Sequence, residues 1–501
     1  METETLISLA AYFLLMLGIG LYAYRASSED SSGYLLGGRQ LGPAVTALSA
    51  GASDMSGWMV MGLPGALYLS GLSNLWIGIG LVAGAYLNYL IVAPRLRVFT
   101  ELAGDSITLP EFFENRFEDN TRMLRIICSV VIIVFFTVYT SSGLVGGGKL
   151  FESSLGASYQ AGVYITAGVV VAYTLFGGFL AVSRTDFVQG CIMLVALVLV
   201  PVTIVWEFGG MAGISDTVSA LSPLHMNILT GTTVLGVISS LAWGLGYFGQ
   251  PHIIVRFMAI RSVDDIKAAR RIGMSWMIVA LAGAMATGFF GLAYVQKMNI
   301  PVGDAETILI VLSQVLFHPL IGGFVLAAIL AAIMSTVSSQ LLVTSSSLTE
   351  DIYKAFFNKK QVSEKQLVVV GRSCVVLVAL AAIYLAHDRD SSILNIVANA
   401  WAGFGAAFGP LVVFSLHWPR MNLAGAMAGV IVGGSTVLIW IYVPFSVLDG
   451  QALSSVIYEI VPGFLASSLA IVLVSLATKP PTATTSELFH AMSRHLFSRT
   501  Q

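Results

Sequence analysis

Charge is scarce along this chain. Of its 501 residues only 10% are Asp, Glu, Lys or Arg, where a soluble globular protein carries about 25%. That shortfall argues against a water-solvated globular class. Cysteine is scarcer still. Cys128, Cys191 and Cys374 all lie in or beside apolar stretches, which points to neither a disulfide framework nor a thiolate metal site. The net charge of −2 gives no reason to expect a nucleic-acid partner. No P-loop is present, so no nucleotide chemistry is implied. The seven histidines sit at the ends of apolar stretches, in loops or in the tail. With no nucleophile–base pair and no His-rich or Glu-rich set inside the spans, an intramembrane enzyme is poorly supported. A sensor would bring an output domain, and the longest polar loop, about 95–123, is too short to be one. A passive channel stays open at this point.

What the chain has is apolar length. It is 56% hydrophobic with a mean hydropathy of +0.85. Stretches of about 20 apolar residues recur, each long enough to cross a bilayer core of ~30 Å. The expected fold is therefore all-α and polytopic, embedded in a lipid bilayer. Roughly thirteen spans are expected, near 5–25, 43–70, 72–94, 124–148, 160–182, 188–206, 232–256, 274–295, 322–350, 367–386, 394–416, 424–444 and 459–477. The first has acidic flanks, Glu2 and Glu4, and reads as a retained span, not a cleaved signal. With the N-terminus outside (periplasmic), only Arg389, Lys149 and Lys297 of the 25 basic residues fall outside. The positive-inside rule thus supports a cell inner (plasma) membrane protein with a cytoplasmic C-terminus. The tail 478–501 reads as a solvated cytoplasmic segment, with an interfacial helix as the alternative. The outer segment 296–320 carries Asp304 and Glu306 and is placed to cap the outer face.

Asp54 stands out inside the second span. A carboxylate at bilayer depth is costly and marks an ion or substrate pathway by default. Gly51 and Gly57 flank it, with Ser49, Ser53 and Ser56 around it. That composition suits a broken helix whose freed backbone groups hold an ion or a zwitterion.

Three other segments carry chemistry. In Trp243-Gly244-Leu245-Gly246-Tyr247-Phe248-Gly249-Gln250-Pro251, two aromatics at i, i+4 share a face in a loosened helix. They are either an aromatic wall for a small solute or ordinary core packing. Ser335, Thr336, Ser338 and Ser339 offer hard oxygen ligands for an alkali cation, although hydroxyls in such helices commonly bond back to their own backbone. That plainer reading is favoured on the segment alone. Arg184 and Asp186 are expected in a tight cytoplasmic turn, with Asp186 either a gate carboxylate or, the favoured reading, a helix cap.

Together these segments resemble the sodium/solute symporter family, and within it the proline-carrying members. The likeness rests on Leu36-Gly37-Gly38-Arg39, Leu41-Gly42-Pro43, the run Thr46–Trp58, Met61-Gly62-Leu63-Pro64-Gly65, the Trp243 segment through His252, Met334-Ser335-Thr336 and the run Ala400–Pro410. It covers nearly the whole chain and fades at 296–306 and in the tail. Arg184 departs from it by standing where an aromatic is expected.

The resemblance implies a LeuT-type core of inverted five-helix repeats, 43–206 and 232–416, with broken helices. Segments 1–42 and 424–477 would be peripheral. It implies a sodium site with carbonyls from Ala52, Met55 and Ala332 and hydroxyls from Ser335 and Thr336. Asp54 would serve ion coupling. Ser56, Gly57, Tyr139, Trp243 and Tyr247 would line the substrate site. The implied activity is sodium-coupled import of L-proline by alternating access, with no obligatory protein partner and no enzymatic step. The same fold carrying another small amino acid or carboxylic acid is the alternative.

Overall fold

The computed structural model describes residues 3–26, 33, 36–229, 232–354, 363–444 and 453–497. Parts of the peripheral segments 1–42 and 424–477, and residues 498–501 of the tail, lie outside the described residues. The described chain is helical, and its β feature is an isolated parallel bridge from Leu41 to Ile260. In chain order the helices are α1 Thr3–Ala26, α2 Pro43–Asp54, a π-helical turn Trp58–Gly62 leading into α3 Leu63–Ser70, α4 Leu75–Leu87, α5 Ala93–Leu102 and α6 Leu109–Arg116. Then come α7 Met123–Leu155, α8 Tyr159–Glu207, α9 Met211–Leu221, α10 Val234–Leu241, α11 Pro251–Ala259 and α12 Ile266–Lys297. The last are α13 Ile308–Val315, α14 Pro319–Ser346, α15 Glu364–Leu385, α16 Ile393–His417, α17 Leu423–Tyr442, α18 Ile460–Ala477 and α19 Ala483–Phe497.

Local chemistry sets where these helices begin. Thr233 and Asn422 accept hydrogen bonds from the amides of Gly236 and Gly425, at 3.0 and 2.9 Å, satisfying first-turn donors that have no partner within the helix. Pro43, Pro251 and Pro319 open α2, α11 and α14, where the missing N–H costs nothing.

Ten helical stretches among the described residues are long and apolar enough to cross a membrane, and three shorter apolar helices accompany them: Tyr159–Leu175, Val234–Gly249 and Ala305–Val315. Roughly thirteen spans were expected. Length alone gives fewer because three of the expected spans, the second, fifth and seventh, are interrupted. The second holds α2, of 12 residues, and a break at Met55 (φ −82°, ψ 79°). The seventh holds α10, of 8 residues, a 3-10 stretch Ala242–Gly249, and a break at Gln250 (φ −85°, ψ 106°). Pro251 disfavours a helical conformation at the residue before it, which accounts for the second break.

A third break corrects the sequence reading. Within α8 the backbone departs from helix at Gly178 (φ 56°, ψ −156°), a conformation open to glycine alone. Arg184 and Asp186 were expected in a turn, but they lie inside the helix that follows, so Asp186 is not a helix cap.

The tail also departs from expectation. It forms α19, docked on the protein, with Phe489 and Met492 buried. The Thr485 hydroxyl donates to Glu118 at 3.0 Å, and the Thr482 hydroxyl donates to the same carboxylate. Arg116 lies 5.0 Å over Phe99, 5.0 Å over Phe117 and 5.4 Å over Phe489. Burial pushes its pKa down to about 10, so it remains cationic at neutral pH and holds the tail helix through cation–π contacts.

Glu306 ties the segment 296–320 down. It accepts from Lys149 Nζ and from the amides of Ile393 and Leu394, each at 3.0 Å. A carboxylate at the N-terminus of α16 is favoured by the helix dipole.

Close packing of the third and seventh spans depends on glycine. A Cβ added to Gly84 would lie 2.1 Å from the Gly244 carbonyl oxygen, and one added to Gly244 would lie 2.2 Å from that of Gly80. Gly84→Ala is therefore expected to destabilise the purified protein by about 1–3 kcal/mol, the usual range for overpacking. Gly18→Ala, whose Cβ would meet nothing within 4 Å, should be neutral. Equal melting of the two variants in detergent would contradict this packing account.

Candidate functional site

The break after α2 gathers the candidate residues around Asp54. Its side chain is 1% exposed. The Tyr247 hydroxyl donates to Asp54 Oδ2, and Oδ1 has no partner. The backbone carbonyl of Asp54, freed by the break, accepts from Trp58 Nε1 at 3.0 Å and from the Tyr139 hydroxyl at 3.4 Å. Three aromatics from three spans thus converge on one residue. Ser56 and Gly57 sit at the break itself. A Cβ direction at Gly57 points to Ile393 and Ile333 at 3.5 and 3.6 Å, so the break abuts α14 and α16.

One turn earlier, oxygens cluster between α2 and α14. Ser335 Oγ donates to the Ala52 carbonyl at 2.7 Å and lies 3.1 Å from the Ala332 carbonyl. Thr336 Oγ1 lies 3.4 Å from the Ala52 carbonyl and 3.2 Å from that of Ala332. The back-bonding reading of these hydroxyls holds within α14, and they also reach across to α2. Ala52, Ala332, Ser335 and Thr336 form one group of four hard oxygens. Met55 stands three residues on, at the kink. A hydroxyl can rotate its proton outward and present a lone pair, so this group can exchange its internal hydrogen bonds for an alkali cation.

The two aromatics of the seventh span do cluster with others, but not through the expected helix face. Trp243 and Tyr247 lie on 3-10 backbone, where residues i and i+3 eclipse, so the i, i+4 argument for a common α-helical face does not apply. Tyr247 turns toward Asp54. Trp243 lies 6.1 Å from Trp58, 6.4 Å from Trp401 and 5.4 Å from Tyr458, centroid to centroid. Trp401 links the two, meeting Tyr247 edge-on at 5.2 Å and donating from Nε1 to the Trp243 carbonyl at 2.8 Å. Sequence reasoning passed over Trp58, Trp401 and Tyr458 as wall residues. Trp58 and Trp401 stood inside recognisable motifs, whereas Tyr458 gave no signal.

Asp186 belongs to a separate buried cluster. Its Oδ2 accepts from Ser49 Oγ at 2.7 Å, Arg256 Nη2 at 3.2 Å and Ser339 Oγ at 3.4 Å. Both ionic side chains are fully enclosed. A buried pair of this kind is weak evidence for stability, since desolvation offsets the attraction. It does join α2, α8, α11 and α14 at one point. Arg256 was not singled out beforehand, and Ser49 was noted only as a neighbour of Asp54.

This geometry has relatives. Residues 34–433 match the model described as the Sodium:solute symporter family. The osmoregulated proline transporter OpuE of Bacillus subtilis is 54% identical over 496 residues, 99% of each chain. The high-affinity proline transporter PutP of the same organism is 56% identical over 475 residues, 95% of this chain and 98% of its own. The sodium/proline symporter of Staphylococcus aureus is 54% identical over 482 residues, 96% and 94% of the two chains. Among solved structures, a substrate-bound, outward-open Na+-coupled sialic acid symporter aligns with a TM-score of 0.79 at 19% identity, covering 96% of this chain and 99% of that one. A nucleobase-cation-symport-1 family transporter in a closed conformation aligns with a TM-score of 0.56 at 12% identity, covering 92% and 98%. The fold is accordingly of the LeuT-like transporter kind, with the broken helices that class requires. From the span of the family match and the near-full-length relatives, the chain belongs to the sodium:solute symporter family.

Proposed function

We propose that this protein is a sodium-coupled symporter that imports L-proline across the plasma membrane by alternating access. The observation that carries the reading is spatial: the four-oxygen cluster and the aromatic wall share one broken helix, with Asp54 between them. The names of the relatives, proline transporters and sodium/proline symporters, support the choice of solute and ion. In this reading the repeats are 43–206 and 232–416, each opening on a broken span, and the N-terminus faces out. Sodium takes the oxygens of Ala52, Met55, Ala332, Ser335 and Thr336. Asp54 couples that ion to the solute.

Proline suits the wall. Its pyrrolidine ring is compact and apolar, and its secondary ammonium can rest against an aromatic face. Its carboxylate suits amide donors freed at a helix break. Ser56, Gly57, Tyr139, Trp243 and Tyr247 form that site, and Asp186, paired with Arg256, gates the inner side. Sodium entering down its gradient drives the cycle. One charge crossing 100 mV is worth about 2.3 kcal/mol, which supports a solute ratio of roughly fifty-fold from potential alone.

Uptake of labelled L-proline into sealed vesicles tests the reading, with sodium and potential imposed separately. Uptake should require inward sodium and rise with an inside-negative potential. A sodium-dependent solute flux that excess unlabelled proline leaves untouched would keep the family and discard the substrate. Within that assay, Ser335→Ala and Thr336→Ala should each raise the sodium concentration for half-maximal uptake, by roughly ten- to a hundred-fold, taking loss of a charged hydrogen bond as the analogy. A changed proline dependence with unchanged sodium dependence would move both residues out of the ion site. Trp243→Ala should do the reverse and weaken proline more than sodium, since each methylene it helps to bury is worth about 0.8 kcal/mol. Undiminished proline affinity in that variant would remove Trp243 from the wall.

A further inference from the structure

A narrow cavity of ≈ 30 Å³ lies beside the break in the second span. Most of its wall is apolar, including Ala85, Phe257, Met274 and Met277. Asp54 and Asn88 also line it, and each has a buried Oδ1 with no hydrogen-bond partner. Asn88 is 1% exposed and opens the π-helical turn Asn88–Val92 of the third span. It stands one turn beyond Gly84, the residue that touches Gly244.

Two buried acceptors facing one small space call for a ligand that donates to both. A water needs roughly 10–15 Å³ of such space and two to four polar partners. The cavity meets both conditions. A bare alkali cation fits less well, because hard cations gather about six oxygens and this wall is mostly carbon. A single water would give one hydrogen to Asp54 Oδ1 and one to Asn88 Oδ1. Tyr247 already holds the other oxygen of Asp54.

We propose that Asn88 is a positioning residue of the ion-coupling centre, acting on Asp54 through one water held in this cavity. The inference rests on Asp54 serving sodium coupling as read above. With Tyr247 on one oxygen and the Asn88-bound water on the other, the carboxylate is fixed in plane and in direction. Its charge then faces the same way each time sodium arrives. The third span enters the coupling centre by this route, although it supplies no direct contact to ion or solute.

The test compares Asn88→Leu, which removes the acceptor and fills the cavity, with Asn88→Ser, which keeps an oxygen there. In vesicles, Asn88→Leu should raise the sodium concentration for half-maximal uptake by about five-fold or more, with proline dependence at saturating sodium unchanged. Asn88→Ser should bring sodium dependence back to within about two-fold of the parent. Sodium-induced thermal stabilisation of the purified protein gives a readout for variants that do not transport. In that assay Asn88→Leu should add no further loss to Asp54→Asn. Wild-type sodium dependence in Asn88→Leu overturns the proposal, and so does an equal rise in the sodium and proline constants, which marks a packing defect. If Asp54→Asn itself keeps wild-type sodium dependence, the reading of Asp54 fails. If Asn88→Leu alone does, only the role of Asn88 fails.

Discussion

A helix interrupted inside hydrocarbon leaves backbone carbonyls that water cannot reach, and every one must find a donor within the protein. That constraint organises this molecule. The break after Asp54 releases the carbonyls of Ala52 and Asp54. Ser335 and Thr336 of α14 take the first, and Trp58 and Tyr139 take the second. The donors that satisfy the break also define the candidate ion and solute positions. The side chains that meet the requirement for backbone pairing are the same ones proposed for the binding site. This explains why α14, rich in hydroxyls, is so thoroughly enclosed by its neighbours.

The arrangement also suggests how coupling works. The Ser335 and Thr336 hydroxyls pair with the Ala52 carbonyl. A cation taking those oxygens would hold α2 to α14 more tightly while leaving the Asp54 side of the break to Tyr247. In the proposed reading, ion and solute would then act on two halves of one backbone kink, with no long pathway between them. Linkage of this kind must be reciprocal. The Asp186–Arg256 pair joins α2, α8, α11 and α14. A second such tie is Glu306, which pins Lys149 to the start of α16.

Much of this was legible in the sequence, for physical reasons. Membrane burial makes a lone carboxylate such as Asp54 conspicuous, and glycine beside it foretells a break. The meeting of Ser335 with Ala52 followed from resemblance, since no periodicity relates positions 283 residues apart. Other features were hidden. The conformation at Gly178 was needed to place Asp186 inside a helix. The i, i+4 spacing of Trp243 and Tyr247 assumed α-helical geometry that a 3-10 stretch does not keep. Tyr458 reaches the wall from a segment that carries no pattern. The tail helix depends on Arg116 and three phenyl rings, a contact across distant parts of the chain that composition cannot reveal.

The account stands most directly on reciprocal binding at the break. Equilibrium binding of labelled L-proline to the purified protein across a sodium series is the measurement. The account predicts that the proline dissociation constant falls as sodium rises, and that proline lowers the sodium half-saturation by the same factor, about five-fold or more. A proline affinity that stays constant from zero to saturating sodium would contradict it.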